Sequence, residues 1–117
     1  MLPTIRVVAA IVFNTENQFL MARKKEGKSL AGYWEFPGGK VDAEEDDLSA
    51  LKREIKEELN VDLKEVQFVF KFTYQYPEKE IELVFFKAQI AQGEIRLIDH
   101  DGMAWIDLLQ VEKGLKP

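Results

Sequence analysis

Apolar residues recur along this chain in two different periods, and the change of period marks its elements. Thr4–Phe13 is a near-continuous run of Val, Ile and Ala, which predicts a buried strand. Asn14-Thr15-Glu16-Asn17 predicts a turn, and Gln18–Ala22 a second strand that forms a hairpin with the first. Arg23–Gly32 is polar and basic and reads as a loop, and Trp34–Phe36 is a short extended piece stopped by Pro37-Gly38-Gly39. From about Ala43 to Leu59 the period becomes helical, with Leu48, Leu51, Ile55 and Leu59 on one face. Leu63–Tyr76 and Glu80–Ile90 are long strand-like segments joined at Pro77-Glu78-Lys79. Tyr74, Tyr76, Phe85 and Phe86 on that pair should divide between core and pocket wall. Gly93–Ile98 and Ala104–Ile106 add two short strands, and Asp107–Glu112 begins a helix. The sum predicts the α/β class, a mixed sheet with one dominant helix.

Composition narrows the chemistry. The 117 residues suit one domain, 1–117, with an ordinary share of apolar and charged side chains. There is no cysteine, which excludes disulfides and thiolate chemistry, and a single histidine excludes a multi-imidazole metal site. No apolar run approaches the roughly 18 residues of a membrane span. No signal peptide is evident at the N-terminus, so the cytoplasm is the expected location and no membrane partner is expected. The net charge of −5 disfavours polymeric nucleic acid as a partner. It leaves room for a small polyphosphate, provided divalent cations lie between it and the acidic residues.

The helix carries Glu54, Glu57 and Glu58 at spacings that bring their side chains together. Like charges so placed destabilise a helix by a few tenths of a kcal/mol per pair, roughly 0.2–0.5. A solvated acidic face is one reading of this pattern. A set of hard oxygen ligands for magnesium or manganese is the other. The second gains weight from Trp34-Glu35-Phe36-Pro37-Gly38-Gly39-Lys40 just upstream, where paired glycines permit close backbone approach and a carbonyl can face the same cation.

Together these residues resemble the Nudix box, G-x5-E-x7-R-E-U-x-E-E-x-G-U with U a bulky aliphatic. The sequence supplies Gly39, Glu45, Arg53, Glu54, Ile55, Glu57, Glu58, Asn60 and Val61 at every spacing. Asn60 replaces the last glycine, and asparagine also accepts the left-handed conformation of a helix C-cap. The resemblance, closest to the MutT-like branch, implies an α/β/α sandwich with a mixed β-sheet and one main catalytic helix. It implies Mg2+ (or Mn2+) held by Gly38, Glu54, Glu57 and Glu58, with catalytic roles for Glu54, Glu57, Arg53 and Glu45. Glu45 has a rival role, because Asp42-Ala43-Glu44-Glu45 has capping-box spacing and would close the helix N-terminus. Arg53 has one too, an ion pair with Glu57. Asp99, six residues before Trp105, matches a carboxylate that reaches the metal from a loop, while His100 reads as structural.

The activity so implied is hydrolysis of nucleoside triphosphates to a monophosphate and pyrophosphate, with oxidised dGTP and nucleotide-pool sanitation as one case. Arg23, Lys24, Phe36 and Lys40 are the expected substrate contacts. Alternatives are another nucleoside diphosphate-X substrate (CTP-type, ADP-ribose, dinucleoside polyphosphate) or a non-catalytic nucleotide-binding domain. The branch continues with a leucine-x-Pro-Ala-Asp segment and a C-terminal helix. Here the sequence reaches Leu115-Lys116-Pro117 at that point, so the domain is expected to lack that helix and the base-recognising residue it carries. The protein would be a monomer, or a homodimer in which a second copy covers the apolar surface left open.

Overall fold

The computed structural model describes residues 2–27 and 31–107. The first strand, β1 (Thr4–Phe13), runs through the middle of the sheet and gives the fold its frame. Its partner of greatest extent is β6 (Glu80–Gln92), which pairs with it in parallel from Thr4↔Glu80 to Phe13↔Gln89. β5 (Asp62–Gln75) lies antiparallel on the far side of β6 and forms that edge of the sheet. The other side of β1 is shared. β4 (Gly38–Lys40) pairs antiparallel with Val7–Ala9, and β2 (Gln18–Lys24) meets β1 at Phe13↔Phe19, as the predicted hairpin requires. β2 then turns away to lie between β3 (Trp34–Glu35) and β7 (His100–Asp107). Seven strands and one helix, α1 (Asp47–Leu59), are thus present among the described residues.

Alternation along β1 decides which face the helix covers. Val8, Ala10 and Val12 are fully buried and meet Ala50, Leu51, Ile55 and Leu59 of α1, with Val84 and Ala88 of β6 beside them. Val7 and Ala9 point to the opposite face. Each fully buried Leu or Ile contributes roughly 1.5–3 kcal/mol by leaving water.

The helix begins four residues later than its apolar period suggests. Asp46 is the N-cap, and its side chain accepts the Ser49 N–H at 2.7 Å. Asp47 follows in the first turn, where negative charge suits the helix dipole, and takes both donors of Arg6 from β1 at 2.6 and 2.5 Å. Arg6 also pairs with Glu82 of β6. At the far end Asn60 adopts φ 64° and its N–H bonds to the Lys56 carbonyl, so asparagine does serve as the left-handed cap.

Several expectations need correction. Leu48 is 42 % exposed, and Ala50 takes the place assigned to it in the core. β2 extends through Arg23 and Lys24, which were expected in a loop. Gly93–Ile98 is not a strand; its Arg96 and Ile98 N–H groups instead bond to the Leu59 and Glu58 carbonyls at the end of α1. Tyr74 on β5 and Tyr76 just beyond its end lie exposed, whereas Phe86 packs on the core and Phe85 lines a cavity. The helix expected from Asp107 falls, beyond Asp107 itself, outside the described residues. The second helical layer of the expected sandwich is not among the described residues.

Ile55→Ala should destabilise the protein by about 2–5 kcal/mol, through lost transfer energy and the void it leaves. Leu48→Ala should stay within about 0.5 kcal/mol of the parent. Urea unfolding of both variants checks the pair, and equal costs would contradict the observed orientation of α1.

Candidate active site

The site is built where β4 passes beside α1. Gly39 has no side chain because there is no room for one: a Cβ there would fall on the Glu54 carboxylate. Gly38 is constrained from the other direction, since its Cβ would fall on the Val8 carbonyl of β1. The two glycines therefore let a strand press against both its neighbour and the helix carboxylates. The Gly38 N–H donates to Glu58 Oε1 at 3.1 Å, which anchors this contact.

Burial raises the pKa of Glu54, against the opposing pull of Arg53. It pushes Glu58 further, to about 7, despite the nearby His100 and the Gly38 N–H. The Glu57 side chain is 57 % exposed and stands 3.3 Å from Arg53. Arg53 is the hub. It binds Glu45 with two donors at 2.6 and 2.7 Å, Glu54 at 2.9 Å and the Lys40 carbonyl at 3.1 Å. The guanidinium is thus more than an i,i+4 partner of Glu57; its shortest bonds go to Glu45. Glu45 also accepts the Asp42 N–H at 2.9 Å, so the capping-box geometry exists. It closes a turn before the helix, however, because the cap of α1 is Asp46.

On the face of the sheet away from the α1 core lies a cavity of about 600 Å³. Gly38, Gly39 and Glu58 form one wall, Lys24, Glu35, Asp99 and His100 another, and Phe36, Phe85, Met21 and Leu83 an apolar part. Of the expected substrate contacts, Lys24 and Phe36 are on this wall. Phe36 also packs on Phe19 and Phe85, with ring centroids 5.8 and 5.9 Å away. Arg23 is not among the lining residues. It pairs with Asp101 at 2.6 Å and lies over the Trp34 ring at 5.8 Å. Lys40 is exposed and gives its carbonyl, not its ammonium, to the network. Asp99 is among the residues that line the cavity.

Glu35 was given no role from sequence, and His100 was read as structural. His100 Nε2 lies 2.8 Å from Glu35 Oε2, and this bond raises the histidine pKa. No local pattern signals it, because 65 positions separate the two residues.

Among the described residues no three acidic or imidazole groups are gathered as a ready cation cage. The donor chemistry nevertheless fits a hard divalent cation: Glu54, Glu57, Glu58, Asp99 and the Gly38 carbonyl offer only oxygen. Two of these carboxylates are held where burial disfavours their charge, a cost that a bound cation offsets.

The Glu45–Arg53 pair sets a pH dependence. The Arg53 hydrogen bonds hold the Glu45 carboxyl down to about 2. Its ordinary value is near 4.3, so the unfolded chain binds more protons between these limits. This contribution is complete above the unfolded value and is lost as pH falls through the folded one. Glu45→Gln should therefore flatten the loss of stability between about pH 4 and pH 2, as thermal unfolding across that range would reveal; an unchanged slope would mean the pair is not formed.

Comparison with known proteins agrees with this geometry. A family model for the NUDIX domain matches residues 3–117. The chain is 39 % identical over 113 residues to the 8-oxo-dGTP diphosphatase of Haemophilus influenzae, covering 97 % of this chain and 83 % of that protein. It is 31 % identical to the CTP pyrophosphohydrolase of Escherichia coli, over 86 % of this chain and 74 % of that one. The crystal structure of MutT protein from Methanosarcina mazei Go1 superposes with a TM-score of 0.80 at 25 % identity, covering 96 % of this chain and 83 % of the other. With a family match running over nearly its whole length, the chain belongs to the NUDIX family of hydrolases, which act on phosphoric anhydride bonds.

Proposed function

We propose that the protein is a divalent-cation-dependent pyrophosphohydrolase that cleaves nucleoside triphosphates, oxidised dGTP among them, to the monophosphate and pyrophosphate. The observation that carries this reading is the pressing of the Gly38-Gly39 strand against Glu54 and Glu58 at the wall of a cavity large enough for a nucleotide. Relatives named 8-oxo-dGTP diphosphatase and CTP pyrophosphohydrolase support the substrate class. They differ in base, so the base is the part that experiment must assign. A nucleotide pool substrate puts the work in the cytoplasm.

In this reading Glu54, Glu57, Glu58, Asp99 and the Gly38 carbonyl hold Mg2+ or Mn2+. Such an ion offsets phosphate charge and acidifies an attacking water. The chain does the rest. Arg53 fixes Glu54 in position through its 2.9 Å bond and is itself fixed by Glu45. Glu54 or Glu57 takes the proton of the water that attacks phosphorus, and the bond to the leaving pyrophosphate breaks as the new P–O bond forms. Phe36 and Phe85 provide an aromatic surface for the base, and Lys24 a cation beside it. Arg23, tied to Asp101 and Trp34, supports the wall rather than the substrate.

Incubation with magnesium and a panel of normal and oxidised nucleoside triphosphates should release pyrophosphate and monophosphate from at least one. Glu54→Gln and Glu57→Gln, assayed separately, should show which carboxylate is the base, by a loss of about 10²–10⁴ in kcat. Excess EDTA should abolish turnover. Orthophosphate as the sole product, or full activity in EDTA, would refute the reading. Gly39→Ala should reduce kcat without unfolding the protein, because the new methyl group displaces the Glu54 carboxylate; parental kcat would show that this contact is irrelevant to hydrolysis.

A further inference from the structure

Among the described residues His100 is the one polar or charged side chain in the buried set, 4 % exposed, and its Nδ1 finds no partner there. Such an orphaned polar atom is destabilising, because it has given up its hydrogen bonds to water and gained none in return. A leucine would fill the space without that cost. The use of the imidazole must therefore lie in its other nitrogen, which binds Glu35 at 2.8 Å.

That bond spans three strands. β2 lies between β3 and β7, with Ala22 paired to Glu35 on one side and to Met103 on the other. The His100–Glu35 bond thus clasps the two outer strands across β2. β3 needs such a clasp, because its ladder to β2 is only two residues long. Both ends of the clasp adjoin the site. Glu35 stands three residues before Gly38, whose N–H holds Glu58, and His100 directly follows Asp99 on the cavity wall.

We propose that His100 is a positioning residue. Through Glu35 it fixes the strand that enters the glycine pair, and so the Gly38–Glu58 contact, while it holds Asp99 at the same cavity. It acts by keeping two pieces of chain in mutual register. The inference rests on the reading of this cavity as catalytic.

The test uses the intact chain and the substrate found with the nucleotide panel. His100→Ala should lower kcat by about 10–100-fold, the usual loss on removing such a supporting partner, with KM nearly unchanged. His100→Gln, whose side-chain amide can still donate to Glu35, should recover most of that loss. Glu35→Ala should resemble His100→Ala, and the double variant should be no worse than either single one, since all three lack the same bond. Glu35 is 39 % exposed, so its removal leaves no buried void and carries the test if His100→Ala fails to fold. Hydrogen exchange supplies a readout independent of turnover: the Gly38 amide should exchange faster in His100→Ala and Glu35→Ala, while amides of buried α1 stay protected. Unchanged kcat in Glu35→Ala, or single losses that multiply in the double variant, would overturn the proposal. A parent protein inactive on every nucleotide would instead overturn the reading of the cavity.

Discussion

Everything at this site depends on an approach closer than side chains permit. Gly39 lies where any Cβ would strike the Glu54 carboxylate, and Gly38 where one would strike the Val8 carbonyl. Two consecutive glycines let β4 be at once a strand partner of β1 and a lid on the carboxylate face of α1. With side chains at these positions the helix would stand off, the Gly38 N–H would lose Glu58, and the cavity wall would open. The apolar side of the same helix supplies the force that holds it there. Leu51, Ile55 and Leu59 are fully buried against β1 and β6, so the polar face of α1 is fixed by the packing of the opposite one.

Clustered carboxylates are an electrostatic burden that the fold manages in two ways. Arg53 reaches Glu45, Glu54 and Glu57 from one guanidinium, and its planar donors hold Glu45 in a two-bond grip that a lysine could not reproduce. Glu58 has no guanidinium partner among the described residues, only the Gly38 N–H, and burial disfavours the charge of its carboxyl. The acidic site is thus stabilised around Arg53 and left in tension at Glu58. That imbalance suits a cation-binding role, since a divalent ion near Glu58 would offset the cost that burial imposes on its charge. A second pair, Arg6 with Asp47 and Glu82, ties the helix start to the two central strands and keeps this arrangement in register.

The amino-acid order alone was sufficient for the sheet, the helix and the box, because these are local properties. The apolar run Thr4–Phe13, period 3.6 along α1 and the spacing from Gly39 to Val61 are all contained in short stretches of chain. Even the replacement of the last box glycine by Asn60 could be judged harmless in advance, and its left-handed backbone bears this out. The boundaries were less secure. Ala43–Glu45 share the composition of a helix start, but Asp46 competes better for the cap, and the turn through Asp42 takes the earlier residues.

What tertiary structure decided was which distant residues share a space, and in what role. Arg23 and Lys24 are neighbours in β2, whose ladder to β7 is irregular between them; Lys24 reaches the cavity while Arg23 turns to Asp101 and Trp34. Phe85 and Phe86 also part, one to the cavity and one to the core. The Glu35–His100 bond joins positions 65 apart and depends on β2 lying between β3 and β7. Sequence could specify the helix and its carboxylates because their spacing sets their geometry. The cavity wall had to await the fold, because it is made by strand order and by which face each side chain takes, and neither quantity is carried by any one segment.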